Sequence, residues 1–142
     1  MTEKPHFRAM EQEDTRQVMA LWDACGLTRP WNNAEKDIAF ARGKEQSDIL
    51  VGVIAEKIIA SLMVGHDGHR GSFYYLAVDP SHQRRGIGRL IMREGEHWLK
   101  RRGVWKVNLL IRQENSGVKG FYERLGYDVN PVMSMGQRLI EN

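Results

Sequence analysis

The sequence predicts a mixed α/β fold, in which one sheet is covered by helices on both faces. Segments with the apolar spacing of strands alternate with segments that have the apolar spacing of helices. Only two residues, Glu56 and Lys57, separate two β-favouring runs, which is typical of an antiparallel hairpin. The chain has 142 residues, of which 42% are hydrophobic and 27% charged, so we expect one globular domain over residues 1–142.

The first half of the chain predicts a strand, two helices and three further strands. Asp14 is placed to cap the first helix, with Gln17 in the capping-box position, and Gly26 is a suitable stop. Pro30 favours a loop between the two helices. The predicted strands are residues 6–10, 49–55, 58–64 and 73–78, and the predicted helices are residues 14–25 and 33–42.

The second half completes the order β-α-α-β-β-β-α-β-α-β-β. A helix at 87–102 joins the strand at 73–78 to one at 104–111, so we expect those two strands to be parallel. A short helix at 117–125 follows, and two last strands are predicted at 127–129 and 132–139.

The loop between the strand at 73–78 and the helix at 87–102 has the residues that a phosphate group requires. The first N–H groups of a helix lack intrahelical partners, and the glycines at 86 and 88 let a ligand approach the backbone. Arg84, Arg85 and Arg89 add positive charge there. The spacing matches neither a P-loop nor the dinucleotide-binding fingerprint.

The order Q-x-x-G-x-G from Gln83 to Gly88, after a strand that ends Leu-Ala-Val-Asp-Pro, resembles the acetyl-CoA loop of the GNAT superfamily, the GCN5-related N-acetyltransferases. A second signature, N-x(6)-Y-x-x-x-G-[FY], is matched from Asn115 through Tyr122 to Tyr127. The resemblance covers about residues 6–139 and is strongest over 73–127.

The resemblance implies a central pair of parallel strands that splay apart to hold the cofactor, acetyl-CoA. Main-chain groups of Leu76 and Val78 would bond the pantetheine, amides of residues 85–89 would hold the pyrophosphate, and Tyr122 would lie near the thioester sulfur. The cofactor-binding residues implied are Leu76, Ala77, Val78, Gln83, Arg84, Arg85, Gly86, Ile87, Gly88, Arg89, Asn115 and Tyr122.

The chemistry of acetyl transfer suits these residue types. N–H groups near Leu76 and Ala77 would stabilise an oxyanion, and the phenol of Tyr122, the catalytic residue implied, would protonate the departing thiolate. Position alone also allows Tyr122 to be a core residue and Asn115 a helix cap. The base that takes the proton of the amine is not identified. The candidates are His66, Asp67, His69, Glu35, Tyr74 and Tyr75.

We therefore expect an acetyl-CoA-dependent N-acetyltransferase that acts on a primary amine, either a peptide α-amine or a small molecule. Within the same fold, the alternative is a protein that binds acyl-CoA as a sensor or uses another acyl group. A weaker alternative is a nucleic-acid-binding module, because residues 82–106 contain eight Lys or Arg against two Glu. Trp31, in the loop between the two first helices, is placed either in the acceptor wall or in the core.

The remaining features predict the setting of the protein. No apolar run approaches the length of a membrane span and the N-terminus is polar, so we expect a cytoplasmic protein. Cys25 is the only cysteine and is expected to pack rather than react. The spacing of His66, Asp67 and His69 matches no strong metal pattern, so no metal is expected. We expect a monomer or a homodimer.

Overall fold

The computed structural model describes residues 3–141 and divides the chain into two compact units, Met1–Leu109 and Leu110–Asn142. The first unit contains a five-stranded sheet and three α-helices, and the second contains one short α-helix. The strands are β1 (His6–Ala9), β2 (Ser47–Ile54), β3 (Lys57–His66), β4 (Gly71–Val78) and β5 (Val107–Leu109), and the helices are α1 (Thr15–Ala24), α2 (Ala34–Ala41), α3 (Ile87–Lys100) and α4 (Lys119–Arg124). The predicted mixed α/β class is confirmed; the single domain stays a prediction.

The sheet keeps its strands in chain order, β1-β2-β3-β4-β5. The first four strands pair antiparallel, whereas β4 and β5 pair parallel, as the intervening helix predicts. The hairpin between β2 and β3 has a two-residue turn, but the turn residues are Ala55 and Glu56, one position earlier than predicted. Their φ angles of +50° and +66° give both residues the positive φ that a type I′ turn requires.

Neighbouring residues of β3 contact helices on opposite faces of the sheet. On one face, the indole of Trp22 in α1 donates a 2.9 Å hydrogen bond to the hydroxyl of Ser61. On the other face, α3 comes so close at Gly95 that an added Cβ would lie 2.5 Å from a methyl group of Leu62. Strand alternation thus explains why the sheet is covered on both sides.

The buried face of α3 includes a glycine and leaves out two of its longer side chains. Leu90 is 44% exposed and Glu94 is half-buried, whereas Met92 and Gly95 are buried. Because α3 packs closely against the sheet at Gly95, the buried face of the helix runs through that position. The buried residues of α3 are Ile87, Ile91, Met92, Gly95, Trp98 and Leu99.

The start of α1 is stabilised by an ion pair and not by the predicted capping box. Asp14 occupies the N-cap position, but its carboxylate accepts from Arg8 at 2.7 Å and from the main-chain N–H of Glu11 at 2.7 Å. Arg8 holds the pKa of Asp14 below its usual value. The side chain of Gln17 instead accepts from the N–H of Ile58 at 3.0 Å, which ties α1 to the start of β3.

The second unit departs from the prediction. A 3₁₀ helix at Gln113–Val118 leads into α4, but residues 127–141 form no strand, so the predicted strands at 127–129 and 132–139 are wrong. Alternating apolar residues indicate one apolar face, whereas a strand also requires a partner that supplies its ladder of hydrogen bonds. Val129, Val132, Met133, Met135, Leu139 and Ile140 are 69–90% exposed.

Among the residues that the structure describes, the helices are all too short or too polar to cross a membrane.

Candidate active site

The two parallel strands separate where β5 ends. Their pairing runs from Gly71 opposite Val107 to Phe73 opposite Leu109, while β4 continues for five more residues to Val78. The edge of β4 after Phe73 therefore has no partner from β5. An extended ligand with amide groups can bond to such an edge as an added strand does.

A bulge in β4 decides which main-chain groups reach this edge. Before the bulge, the N–H of Gly71 points toward β5 and donates to Lys106 at 2.9 Å; after it, the N–H of Asp79 points toward β3 and donates to Ile59 at 2.8 Å. The register between β3 and β4 shifts between these points. Because main-chain groups alternate in direction, Leu76 and Val78 present theirs to the open edge, while Ala77 faces β3.

The bulge is held by a network of buried and half-buried side chains. Tyr75 has a φ of +53°, which costs a non-glycine residue about 1–3 kcal/mol. Its carbonyl accepts a 3.0 Å hydrogen bond from Ser61, and its ring stacks on that of Trp22 with 3.7 Å between centroids. The stack contributes about 0.5–1.5 kcal/mol and a hydrogen bond a similar amount, enough to offset the strained backbone.

The hydroxyl of Tyr75 extends the network to α2. It donates a 2.8 Å hydrogen bond to the carboxylate of Asp37, which is half-buried. Within the described part of the chain, Asp37 has no ion-pair partner. A carboxylate is thus fixed on the α2 side of the bulge without a cation to neutralise it.

The turn after β4 is built around Asp79 and the last carbonyl of the strand. Asp79 accepts from the N–H and the hydroxyl of Ser81 at 2.9 and 2.7 Å, and these bonds lower its pKa. The carbonyl of Val78 accepts from the amide of Gln83 at 3.1 Å and from the thiol of Cys25 at 3.3 Å. Gln83 therefore folds back onto β4, and Cys25 packs as expected, with a pKa raised by burial.

The start of α3 has the properties predicted for an anion site. Gly86 is the N-cap, with a φ of +77°, and an added Cβ there would meet no described atom within 4 Å. The first turn of α3 lacks acidic residues in the described chain. Arg84, Arg85 and Arg89 form no ion pair among residues 3–141. Unpaired guanidinium groups and free N–H groups together favour a phosphate ligand.

The second signature lies in the second unit. Asn115 is a non-helical residue inside the 3₁₀ helix, and the N-cap of α4 is Val118, so Asn115 does not cap α4. The ring of Tyr122 meets those of Phe121 and Tyr127 edge-on, at 5.1 and 6.2 Å between centroids. Its hydroxyl has no hydrogen-bond partner in the described chain, and burial raises its pKa.

Three of the candidate bases have structural roles in the turn between β3 and β4. One oxygen of Asp67 accepts from the N–H groups of His69 and Arg70 at 2.9 Å, and His66 accepts from the N–H of Gly68 at 3.0 Å. This turn lies at the opposite end of β4 from Leu76. In the range 3–141, His, Cys, Asp and Glu form no group of three or more that could hold a metal.

Of the remaining candidates, Glu35 lies on α2, whereas Tyr74 and Tyr75 lie on β4. Glu35 is an exposed residue of the first turn of α2, and Tyr74 is 50% exposed on β4. Trp31 is 50% exposed, so it is not a core residue.

Trp22, Ser61 and Asp37 were missed by sequence reasoning because no motif contains them. The signal available was one tryptophan within an amphipathic helix, which indicates only burial.

Comparison with known protein families gives a match over most of the chain. The model of the acetyltransferase (GNAT) family matches residues 7–127, which is most of the sequence. The matched range includes the open edge of β4, the loop before α3 and both signatures.

Solved structures share the fold. The ribosomal-protein-S18-alanine N-acetyltransferase from Escherichia coli is 25% identical, with a TM-score of 0.74 over 86% of this chain and 76% of that one. An aminoglycoside acetyltransferase from an uncultured soil metagenomic sample, in complex with sisomicin, is 16% identical, with a TM-score of 0.78 over 96% and 97%. AAC(6')-Iy, in complex with the bisubstrate analogue CoA-S-monomethyl-acetylneamine, is 13% identical, with a TM-score of 0.81 over 96% and 100%.

Proposed function

This chain belongs to the acetyltransferase (GNAT) family, whose members use acetyl-CoA, and from that premise we propose that it transfers an acetyl group to a primary amine by direct attack on the thioester. The observation that carries the proposal is the open edge of β4 between Phe73 and Val78, next to a turn that leads into α3. The open edge of β4 suits the amides of the pantetheine. The glycine N-cap and the arginines, which come next along the chain, suit the pyrophosphate, which comes next along acetyl-CoA.

The residues of the first unit fit the cofactor. Leu76 and Val78 offer main-chain groups to the pantetheine, although the carbonyl of Val78 already accepts two hydrogen bonds, which leaves its N–H as the better partner. Free N–H groups from Arg85 to Arg89 hold the pyrophosphate, and the open space at Gly86 admits it. Arg84 and the other loop arginines supply neutralising charge. Ala77 faces β3 and supports the strand instead of binding the ligand.

Acetyl-CoA supplies an acyl group already activated as a thioester. We assign to the N–H of Leu76, beside the bulge, the stabilisation of negative charge on the acyl oxygen while the amine nitrogen forms its new bond to carbon. The carbon–sulfur bond breaks, the amine gives up one proton, and the thiolate takes one.

Tyr122 is the proposed donor of the proton to the thiolate. A phenol with a pKa raised by burial stays protonated at neutral pH, and its hydroxyl is not committed to another described residue. A thiol has a pKa near 8.5 and a free phenol near 10, so the transfer is moderately uphill and proceeds directly or through water. Asn115 is proposed to contact the pantetheine.

The second candidate function, a sensor or carrier of acyl-CoA, shares the same binding residues and differs only in lacking turnover. The nucleic-acid reading rests on the charge of residues 82–106, but part of that charge is engaged. The guanidinium of Arg102 lies 3.5 Å from the ring centroid of Trp98, and Arg93 pairs with Glu96 at 3.7 Å. Neither residue is free to track a backbone of phosphates.

Proteins and small molecules are both named as acceptors among the similar structures, an alanine of ribosomal protein S18 in one and aminoglycosides in another. The test is a thiol-release assay with acetyl-CoA and three acceptor groups: alanine-terminated peptides, polyamines and aminoglycosides. We expect amine-dependent release of CoA with at least one group. Tight acetyl-CoA binding without release for any acceptor would support the sensor instead.

A further inference from the structure

The carboxylate of Asp37 lies on the α2 side of the sheet and has no part in the proposed chemistry. It lies on α2, half-buried, and accepts a 2.8 Å hydrogen bond from the hydroxyl of Tyr75. No Lys, Arg or His among residues 3–141 pairs with it.

Its position relative to the bulge is fixed by Tyr75. The ring of Tyr75 is stacked on Trp22, which is fully buried, with 3° between the ring planes. The main chain of Tyr75 is held by Ser61 at the bulge itself. Asp37 therefore sits one tyrosine side chain away from the main chain of Leu76, where the acyl group is proposed to react.

The chemistry of this carboxylate favours a cation. Tyr75 occupies one of its oxygens, Oδ2, and the other can still accept hydrogen bonds. A partly buried carboxylate is stabilised by a charge-assisted hydrogen bond from an ammonium group. The hydrogen bond from Tyr75 holds it in one orientation, so less side-chain freedom is lost when a ligand binds.

We propose that Asp37 binds a second ammonium group of the acceptor, and that the acceptors are amines with two or more cationic groups, such as diamines, polyamines or amino sugars. This inference rests on the proposed acetyl transfer. One amine of the acceptor attacks the thioester beside the main chain of Leu76, loses a proton and becomes the acetylated amide. The other stays protonated on Asp37 throughout, and no bond to it forms or breaks.

The matched substrates are 1,5-diaminopentane and pentylamine, which differ only in the second amine. With the wild-type protein we expect kcat/KM for the diamine to exceed that for the monoamine by roughly 10- to 100-fold, since a charged hydrogen bond contributes that much. Asp37→Asn keeps an acceptor for the Tyr75 hydroxyl but removes the charge. It should abolish the preference by raising KM for the diamine, with kcat and CoA affinity nearly unchanged.

Asp23→Asn is the control, because Asp23 is an exposed carboxylate that also accepts from a hydroxyl, that of Thr28 at 3.1 Å. It should leave the preference intact. Tyr75→Phe keeps the ring on Trp22 and frees the carboxylate to move, so it should weaken the preference in part. If Asp37→Asn lowers the melting temperature strongly, the preference for the diamine is measured in Tyr75→Phe instead.

Three results would overturn the inference: equal use of both amines by the wild type, an unchanged preference in Asp37→Asn, or turnover of peptides alone. In each of these the enzyme still releases CoA, so the proposed acetyl transfer survives. Absence of turnover with every amine, together with absence of CoA binding, would instead remove the proposed function itself.

Discussion

Tyr122 is the residue on which the proposed proton transfer depends. Its ring packs edge-on against Phe121 and Tyr127, while its hydroxyl is not bonded to another described residue. The ring and the hydroxyl therefore have separable roles, packing for the one and chemistry for the other. A single substitution can remove the second and keep the first.

Tyr122→Phe should lower kcat by about 10²–10⁴-fold, the usual contribution of a general acid. CoA affinity and the melting temperature should barely change, because no described hydrogen bond is lost. Since burial raises the pKa of Tyr122, ionisation of this group should not reduce the wild-type rate below about pH 10. Steady-state kinetics across pH and a thermal melt make these measurements.

Product release can conceal a slower chemical step, so single-turnover kinetics are the decisive control. A chemical step as fast in the Phe variant as in the parent would rule out Tyr122 as the acid. A large drop in the melting temperature would mean that the hydroxyl satisfies a buried partner.

At the residue scale, sequence reasoning reached only residues that a signature contains, whose roles stay predictions, and it missed those that act through packing. Gly86 is where the signature placed it, at the start of α3. Asp37 and Ser61 belong to no motif, because their importance depends on Tyr75 adopting a positive φ in a bulge. Local sequence does not determine where an extra residue enters a strand.

The element that organises the site is the segment from β4 to α3. The bulge reverses which residues face the open edge, and the left-handed Gly86 lets the chain turn into the helix. Strand, hairpin and helix positions in this unit follow from apolar spacing, so they were predicted to within a few residues. The strands predicted after α4 failed because the same spacing in residues 127–139 has no strand partner in the structure.

Gly86→Val should abolish CoA binding and leave the protein folded. A side chain at a φ of +77° is strained by about 1–3 kcal/mol, and it would fill the space through which the pyrophosphate approaches. Titration calorimetry with CoA, alongside a melt, separates the two effects.

Gly43→Val is the matched control, since Gly43 has a φ of +66°, follows α2 and also has open space at its Cβ position. Both variants should lose similar stability, but Gly43→Val should bind CoA normally. Equal CoA affinities in the two variants would show that the loop before α3 is not the phosphate site.

Across the whole molecule, positive charge is concentrated on α3 and its flanking loops, and three of these charges, Arg84, Arg85 and Arg89, lie at the start of α3 beside the proposed site. Residues 82–106 carry a formal +6 within a chain whose net charge is +3, so the remainder is slightly acidic. A local positive field of this kind raises the encounter rate with one anionic ligand, in a way that salt weakens. Asp37, by contrast, adds on α2 a negative charge that has no ion-pair partner among residues 3–141. The positive charge at the start of α3 suits an anionic acetyl donor, and the negative charge of Asp37 suits a cationic acceptor.

The central claim, that CoA binds between the open edge of β4 and the start of α3, is tested most directly by the thermal melt of the protein with and without CoA. At about a hundredfold excess over its Kd, CoA should stabilise the folded state by roughly 2.7 kcal/mol, while inorganic pyrophosphate at the same concentration should have a much smaller effect because it lacks the pantetheine. A melting temperature that does not move with millimolar CoA, or that rises equally with pyrophosphate, would contradict the account.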